Sequence, residues 1–530
     1  MHSWNLPLAL VLAVFLILSA FYASQSQSVF SEDDVSHYLK ARYVWSHFYL
    51  LSDIWGRPAY TILSSPLAYF GMGAARWFNI LVSLLACYMA AEIARVSGIS
   101  RPWLAAAFTA VQPLFLQLSY GTLTEPLFGL LLAGGALLYM RGKFLSSALV
   151  ISLLPAARIE GFVFLGFWFL MLVWRRKFRV TPFLLFFPLL WNIAGMAVTG
   201  DPFYLWSYNP YWAATRNLSW GHRWFDYFLY WPTVVGPAVL PLLTLGLLSG
   251  LLSRRNRLIC ALALIYVALQ VGVYASGMLG YIDSNEAFYL RFFAGVAPLL
   301  GVIAAQGEEI LFEMGQRYFG LSWKRPTLYG FFIVVILLQT ACMTAWHLMP
   351  GSPVSRFHLV ASWMVSGIAV MQSRWSWKLG RTLASVTLLL LSLASLARWV
   401  KPDNLRATDW IWADVGGWFT RGDLRTRPVI VLYPSFWLAV QRDPFDLSGL
   451  DSFYVANGYR DLETSLPMTS PGTIVLWDSH FFGRDARIFP DFFRPNQFRI
   501  LRYCETSKDP RDRFFQGNEA PFQVVVYERK

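Results

Sequence analysis

Up to about residue 400 the chain is a succession of apolar runs, near 6–23, 76–94, 103–119, 124–140, 144–174, 181–199, 233–252, 258–279, 290–307, 327–347, 357–371 and 382–399. Repeated runs of roughly 18 or more apolar residues cross about 30 Å of hydrocarbon as helices. The composition agrees: 56% of residues are hydrophobic and 14% charged, against roughly 25% charged in a soluble domain. A water-soluble fold cannot hide that much apolar surface. The net charge of +13 would suit nucleic acid, but the basic residues fall in short clusters between apolar runs rather than on one face, which is a membrane pattern. The partner is a lipid bilayer, and no nucleic acid is expected.

The run 144–174 is too long for one span. Pro155 interrupts it and Arg158, Glu160 and Gly161 follow, so two short helices joined by a turn are expected. Lys and Arg gather in alternate loops, 17 on one side, including Arg95, Arg141, Lys143, Arg175, Arg254 and Lys324. The other side holds nine: Lys40, Arg42, Arg57, Arg76, Arg158, Arg216, Arg223, Arg291 and Arg356. The richer side faces the cytoplasm. This gives about 13 spans, a cytoplasmic N-terminus and an extracytoplasmic C-terminus, most simply in a plasma (inner) membrane. Leu6 to Ala23 has the look of a signal-peptide core, but no Lys or Arg precedes it and no small-residue cleavage site follows, so a retained first helix is expected. Cys87, Cys260 and Cys342 lie in apolar runs and Cys504 in the polar tail, which gives no disulfide framework.

Residues 1–400 are thus read as a transmembrane domain and 401–530 as a small soluble extracytoplasmic domain. Strand-like runs at Val429 to Tyr433, Thr473 to Trp477, Phe498 to Tyr503 and Phe522 to Tyr527, with a helix near Trp410 to Phe419, make the latter α/β. It has no glycine-rich nucleotide loop.

Acids show the reverse bias. Glu32, Asp33, Asp34, Asp53, Glu125, Glu160, Asp201, Asp226, Asp283 and Glu286 map outside, although acids contribute little to topology. An outward-facing active site is one cause. The densest group, Ser31-Glu32-Asp33-Asp34-Val35-Ser36-His37-Tyr38, lies in the first outward loop, 24–75. Val35, Leu39, Tyr43 and Leu50 follow at helical spacing with His37, Lys40 and His47 opposite, as in a helix lying in the membrane interface. Ser31 as N-cap and Asp34 in a capping box account for one or two of the acids. Three consecutive carboxylates repel one another, and clustering raises a carboxylate's pKa, which suits a general base.

An acidic pair in the first outward loop followed by an interfacial helix resembles the GT-C glycosyltransferases, whose members include protein mannosyltransferases and aminoarabinose transferases. Further echoes are Thr124-Glu125-Pro126-Leu127-Phe128 at a span start, Ala157-Arg158-Ile159-Glu160-Gly161 in the broken hairpin, and Arg291 with Pro298. The resemblance covers roughly residues 1 to 400. It implies an α-helical polytopic membrane enzyme that transfers a sugar, a hexose such as mannose, from a polyprenyl-phosphate carrier to an acceptor hydroxyl with inversion. The acceptor is a glycan, a lipid or a protein.

By the same resemblance Asp33 or Asp34 is the catalytic base, with Glu32 structural. Arg291, then Arg158, His222 and Arg223, are candidates for the leaving phosphate. For each arginine the alternative is an interfacial anchor or an acid's ion-pair partner. Glu125 is a second pocket acid or an ordinary first-turn acid before proline, and Glu160 either joins the site or neutralises Arg158. Aromatic residues of 200–232 form a membrane belt or stack on sugar. Asp33 and Asp34 offer oxygens to a divalent cation, but His37, His47 and His222 have no metal-ligand spacing, so no metal is assigned. The competing functions are a transporter or flippase of lipid-linked saccharides, which commonly has two similar halves and charges near the bilayer midplane, and a glycan polymerase or ligase, which does not require an acidic first loop.

Overall fold

The computed structural model describes residues 6–209, 231–252, 256–275, 290–319, 339–340, 360, 363–364, 378–421, 423–445, 462–486, 488–506 and 522–530. Most of the expected spans at 327–347 and 357–371, and most of the aromatic loop of 200–232, lie outside the described residues.

The first part is helical. Helix α1 (Leu6–Gln25) is followed by α2 (Glu32–Tyr43), α3 (Pro58–Ala68) and α4 (Met72–Val96). Leu6, Leu10, Ile17 and Phe21 of α1 are exposed, as lipid-facing residues must be when no water competes for them. The expected span 103–119 is two helices, α5 (Trp103–Ala110) and α6 (Pro113–Ser119). Pro113 has no N–H to continue the ladder, and the Gln112 side chain repairs the break by donating to Phe108 O (3.1 Å) and Ala297 O (2.9 Å).

Helix α7 (Glu125–Met140) leads to the broken hairpin: α8 (Phe144–Ser152), the single turn α9 (Leu154–Ala157), an extended Arg158, and α10 (Gly161–Trp174). A Cβ on Gly161 would lie 2.3 Å from Leu154 C and Pro155 N. Only glycine lets the two arms close this tightly. A 3-10 segment Phe178–Leu185 precedes α11 (Phe186–Thr199), and α12 (Tyr204–Ser207) follows.

The expected run 233–252 is interrupted in the same way, as α13 (Trp231–Val235) and α14 (Val239–Leu252) on either side of Gly236 at φ +87°. Helix α15 (Arg257–Ala275) comes next, then a 3-10 turn Arg291–Val296 running into α16 (Ala297–Phe319), well past the expected end at 307, and α17 (Lys378–Trp399). Helix α16 is the buried centre. It meets α14 so closely that a Cβ on Gly246 would lie 1.8 Å from Ile303 O, and one on Gly307 1.9 Å from Leu242 O. Small residues of this kind let membrane helices approach backbone to backbone. Among the described residues, Leu6–Gln25, Met72–Val96, Phe178–Thr199 and Arg291–Leu311 are long and apolar enough to cross a membrane, and shorter apolar helices accompany them.

After Val400 come α18 (Ala407–Thr420), β1 (Val429–Val431), α19 (Pro434–Val440), β2 (Ile474–Asp478), β3 (Phe498–Thr506) and β4 (Phe522–Arg529). The four strands anticipated from sequence form one mixed sheet in the order β1-β2-β4-β3, with β1 and β2 parallel and the other pairs antiparallel. Its core is continuous with α2. Val35, Tyr38 and Leu39 pack in one cluster with Trp412, Tyr433, Phe436, Leu476 and Val524.

Candidate active site

Helix α2 begins at the acidic triplet, and the three carboxylates go to three different parts of the protein. Glu32 turns to the C-terminal region, where Arg406 Nη2 (2.5 Å) and Tyr433 OH (3.0 Å) donate to Oε1 and Ser435 Oγ (2.7 Å) to Oε2. Asp33 turns the other way and ion-pairs through Oδ2 with Arg291 Nη2. Its Oδ1 makes no hydrogen bond among the described residues, and its side chain remains 23% exposed.

Asp34 is fully buried. Its Oδ2 accepts the Ser31 backbone N–H at 2.9 Å, completing a capping box, and its Oδ1 accepts the Thr122 N–H at 2.5 Å. The Thr122 hydroxyl donates to Asp34 O at 2.8 Å. The approach needs Gly121, since a Cβ there would lie 2.7 Å from Asp34 Oδ1. Removal from water pushes the Asp34 carboxyl up to about 6, against the pull of the Thr122 and Ser31 N–H groups and of Arg291 and Arg76. Burial, rather than crowding by its acidic neighbours, is the source of the shift.

From Asp33 a line of alternating charge runs inward. Arg291 donates from Nη1 to Ser31 Oγ (2.9 Å), and its Nε lies 3.4 Å from Glu125 Oε1. The same Glu125 oxygen accepts from Arg158 Nη1 at 2.8 Å, and Arg158 Nη2 reaches Glu160 Oε1 at 2.9 Å. Gln270 also donates to Glu160 Oε1, at 3.1 Å. Phe292 lies against both guanidiniums, 4.5 Å from that of Arg158 and 5.4 Å from that of Arg291. Burial would raise the Glu160 carboxyl, but Arg158 and Arg57 outweigh it and hold it at about 2. Glu125 Oε2 and Glu160 Oε2 are buried without a hydrogen-bond partner among the described residues.

The structure therefore brings together Asp33, Asp34, Arg291, Glu125, Arg158 and Glu160 from four separate segments. Both readings of Glu125 and Glu160 meet here, since each is an ion-pair partner inside the candidate site. His222 and Arg223 lie outside the described residues. Among the described residues no cluster of three His, Cys, Asp or Glu side chains has the geometry to hold a metal ion. Asp33 and Asp34, whose oxygens could have been offered to a cation, turn to Arg291 and to Thr122 respectively.

The face of α2 opposite Val35 and Leu39 does not lie toward solvent as an interfacial helix would, for His37 and Lys40 are both buried. Lys40 pairs with Asp53, and its ammonium sits 4.6 Å from the Trp55 ring centre. The His37 ring stacks on Trp55 at 5.1 Å and tilts against Tyr60 at 5.6 Å. Burial and the cations Lys40, Arg57, Arg291 and Arg158 keep its pKa far below the usual range, so it is neutral. His37 Nδ1 and the Tyr60 hydroxyl have no hydrogen-bond partner among the described residues. Sequence reasoning did not connect Lys40 with Asp53, nor find Thr122, Trp55 or Tyr60; the Gly121-Thr122 pair just before the Thr124-Glu125-Pro126 motif was the available signal.

No protein-family model matches the sequence, and no curated protein is significantly similar to it. The fold has known counterparts. ArnT from Cupriavidus metallidurans bound to undecaprenyl phosphate superposes with a TM-score of 0.56 at 11% identity, covering 98% of this chain and 97% of that one. ArnT from the same organism in the apo state gives 0.51 at 12% identity over the same shares. The chain shares the overall fold of these ArnT structures over nearly its whole length.

Proposed function

We propose that this protein is a membrane glycosyltransferase that moves a sugar from a polyprenyl-phosphate carrier to an acceptor hydroxyl on the extracytoplasmic face, with Asp33 as general base. The observation that carries the reading is the asymmetry of the two candidate bases. Both Asp34 oxygens are occupied by backbone donors, whereas Asp33 has one oxygen on Arg291 and one uncommitted. The undecaprenyl phosphate bound to ArnT supports a carrier of the same class here.

In this reaction Asp33 Oδ1 takes the proton of the acceptor hydroxyl as the acceptor oxygen bonds to the anomeric carbon. The bond from that carbon to the carrier's phosphate oxygen breaks, and the electron pair leaves with the phosphate. In-line displacement inverts the anomeric centre. Arg291 orients the Asp33 carboxylate, and Arg291 and Arg158, with His222 and Arg223 as further candidates, offset the charge developing on the phosphate. The unpartnered oxygens of Glu125 and Glu160 are acceptors for sugar hydroxyls. The donor sugar tested first is a hexose such as mannose. The reading takes the N-terminus to be in the cytoplasm and residues 401–530 outside, in the plasma (inner) membrane.

The test is Asp33→Asn in the full chain, reconstituted with polyprenyl-phosphate-linked sugars and assayed for carrier release and product stereochemistry. Loss of transfer with folded protein retained, and an inverted product from the unaltered enzyme, are expected. Full transfer by the variant removes the base assignment.

A further inference from the structure

The C-terminal region is built into the seat of helix α2. Arg406 caps α18, and its own position is fixed by Asp409, whose Oδ2 accepts the Arg406 N–H (2.8 Å) and Nε (3.1 Å) and whose Oδ1 accepts from Nη2 (3.0 Å). Asp409 Oδ2 also accepts from Ser28 Oγ at 2.6 Å, just upstream of the acidic triplet. Tyr433 and Ser435 follow β1, so the carboxyl end of the parallel strand pair points at α2. The backbone N–H groups of Gln27 and Ser28 donate to Asp403 O at 2.9 and 2.8 Å, and His47 Nε2 meets Asp443 at 2.8 Å. The acidic loop is thus gripped before, at and after the triplet by residues beyond 400.

Glu32 is 6% exposed and both of its oxygens are engaged by donors from this region. Its immediate neighbour Asp33 leaves the same first turn toward Arg291. We propose that Glu32, with Arg406, Tyr433 and Ser435, forms a positioning clamp through which the C-terminal region sets the rotation of α2 and hence the placement of the Asp33 carboxylate. The inference rests on Asp33 as base. A displacement of the base by about 1 Å is worth up to 100-fold in rate, so the clamp acts on turnover rather than on donor affinity.

The test uses the full chain in proteoliposomes containing a polyprenyl-phosphate-linked hexose, with kcat, donor KM and thermal unfolding measured for Glu32→Gln, Arg406→Gln, Tyr433→Phe and Ser435→Ala. Glu32→Gln and Arg406→Gln are expected to lower kcat roughly 10- to 100-fold with donor KM changed less than about threefold. Their combination should be no worse than the poorer single variant, and Arg406→Lys should recover part of the loss. Tyr433→Phe and Ser435→Ala remove one hydrogen bond each and no charge. Should the charge variants fail to fold, a several-fold fall in kcat in these two, at unchanged melting temperature, carries the same conclusion. Unaltered kcat in the clamp variants, beside an inactive Asp33→Asn, overturns the clamp and leaves the base assignment standing. An active Asp33→Asn overturns both.

Discussion

The backbone N–H of Thr122 donates to Asp34 Oδ1 across a separation of 88 residues. This bond ties the start of α2 to the turn before α7, and Gly121 is what permits the approach. An Asn at 34 would offer one acceptor oxygen where the Thr122 and Ser31 N–H groups need two. Asp34→Asn and Gly121→Ala are each expected to cost about 1–3 kcal/mol, read as a lower unfolding temperature in detergent. Unchanged melting in both would show that the turn is not a structural tie.

Asp34 also predicts a pH dependence. Its folded carboxyl titrates at about 6 against 3.8 for the free acid, so the folded state binds the extra proton between those values. The stabilisation from this proton is present below the unfolded value and is lost as pH rises through about 6. At 1.36 kcal/mol per pH unit the change is about 3 kcal/mol. Unfolding followed between pH 4 and 7 should show this fall in the native chain relative to Asp34→Asn, and parallel curves for the two would refute it.

Glu125 serves two guanidiniums through one oxygen. Glu125→Gln leaves Arg158 and Arg291 buried and under-compensated, a loss of about 3–5 kcal/mol for a broken buried pair. The double variant Glu125→Gln/Arg158→Gln removes one of the stranded cations and should be less destabilised than the sum of the single variants. Strict additivity in chemical denaturation would argue that the two do not interact.

Arg291 contacts Asp33, Ser31 and Glu125 through a planar fork. A lysine keeps the charge but not the three directions. Arg291→Lys should fold, yet lose at least about tenfold in kcat, with Arg291→Gln worse. Equal activity of the lysine variant and the native chain, in the carrier-release assay, would reduce Arg291 to a point charge.

Much of the membrane part was legible because charges in apolar runs are expensive and therefore few. Arg158, Glu125, Glu160 and Arg291 stood out for that reason, and the structure joins them. Pro155 and Gly161 announced the broken hairpin, and the strand runs after 400 became the sheet. The breaks at Val111 and Gly236 were less visible, since the apolar pattern runs through them. Nor does periodicity distinguish a polar helix face turned to water from one turned to buried partners. His37 and Lys40 read as an outer face until Trp55 and Asp53 supply that burial. The different surroundings of Asp33 and Asp34 were likewise closed to sequence, because they depend on Arg291 and Thr122, which the chain brings back only after long excursions.

The contact between Glu32 and Arg406 spans 374 residues. At synthesis rates of roughly 5–20 residues per second, the helix carrying the acidic triplet exists for about 20 to 75 s before its clamping arginine is made. During that time Glu32 lacks its Arg406 partner, and Asp33 also waits for Arg291. A nascent or truncated chain that stops short of residue 406 would hold Asp33 yet lack the Arg406 contact that seats its neighbour Glu32. The seat of the first tenth of the chain is thus completed by a residue from its last quarter.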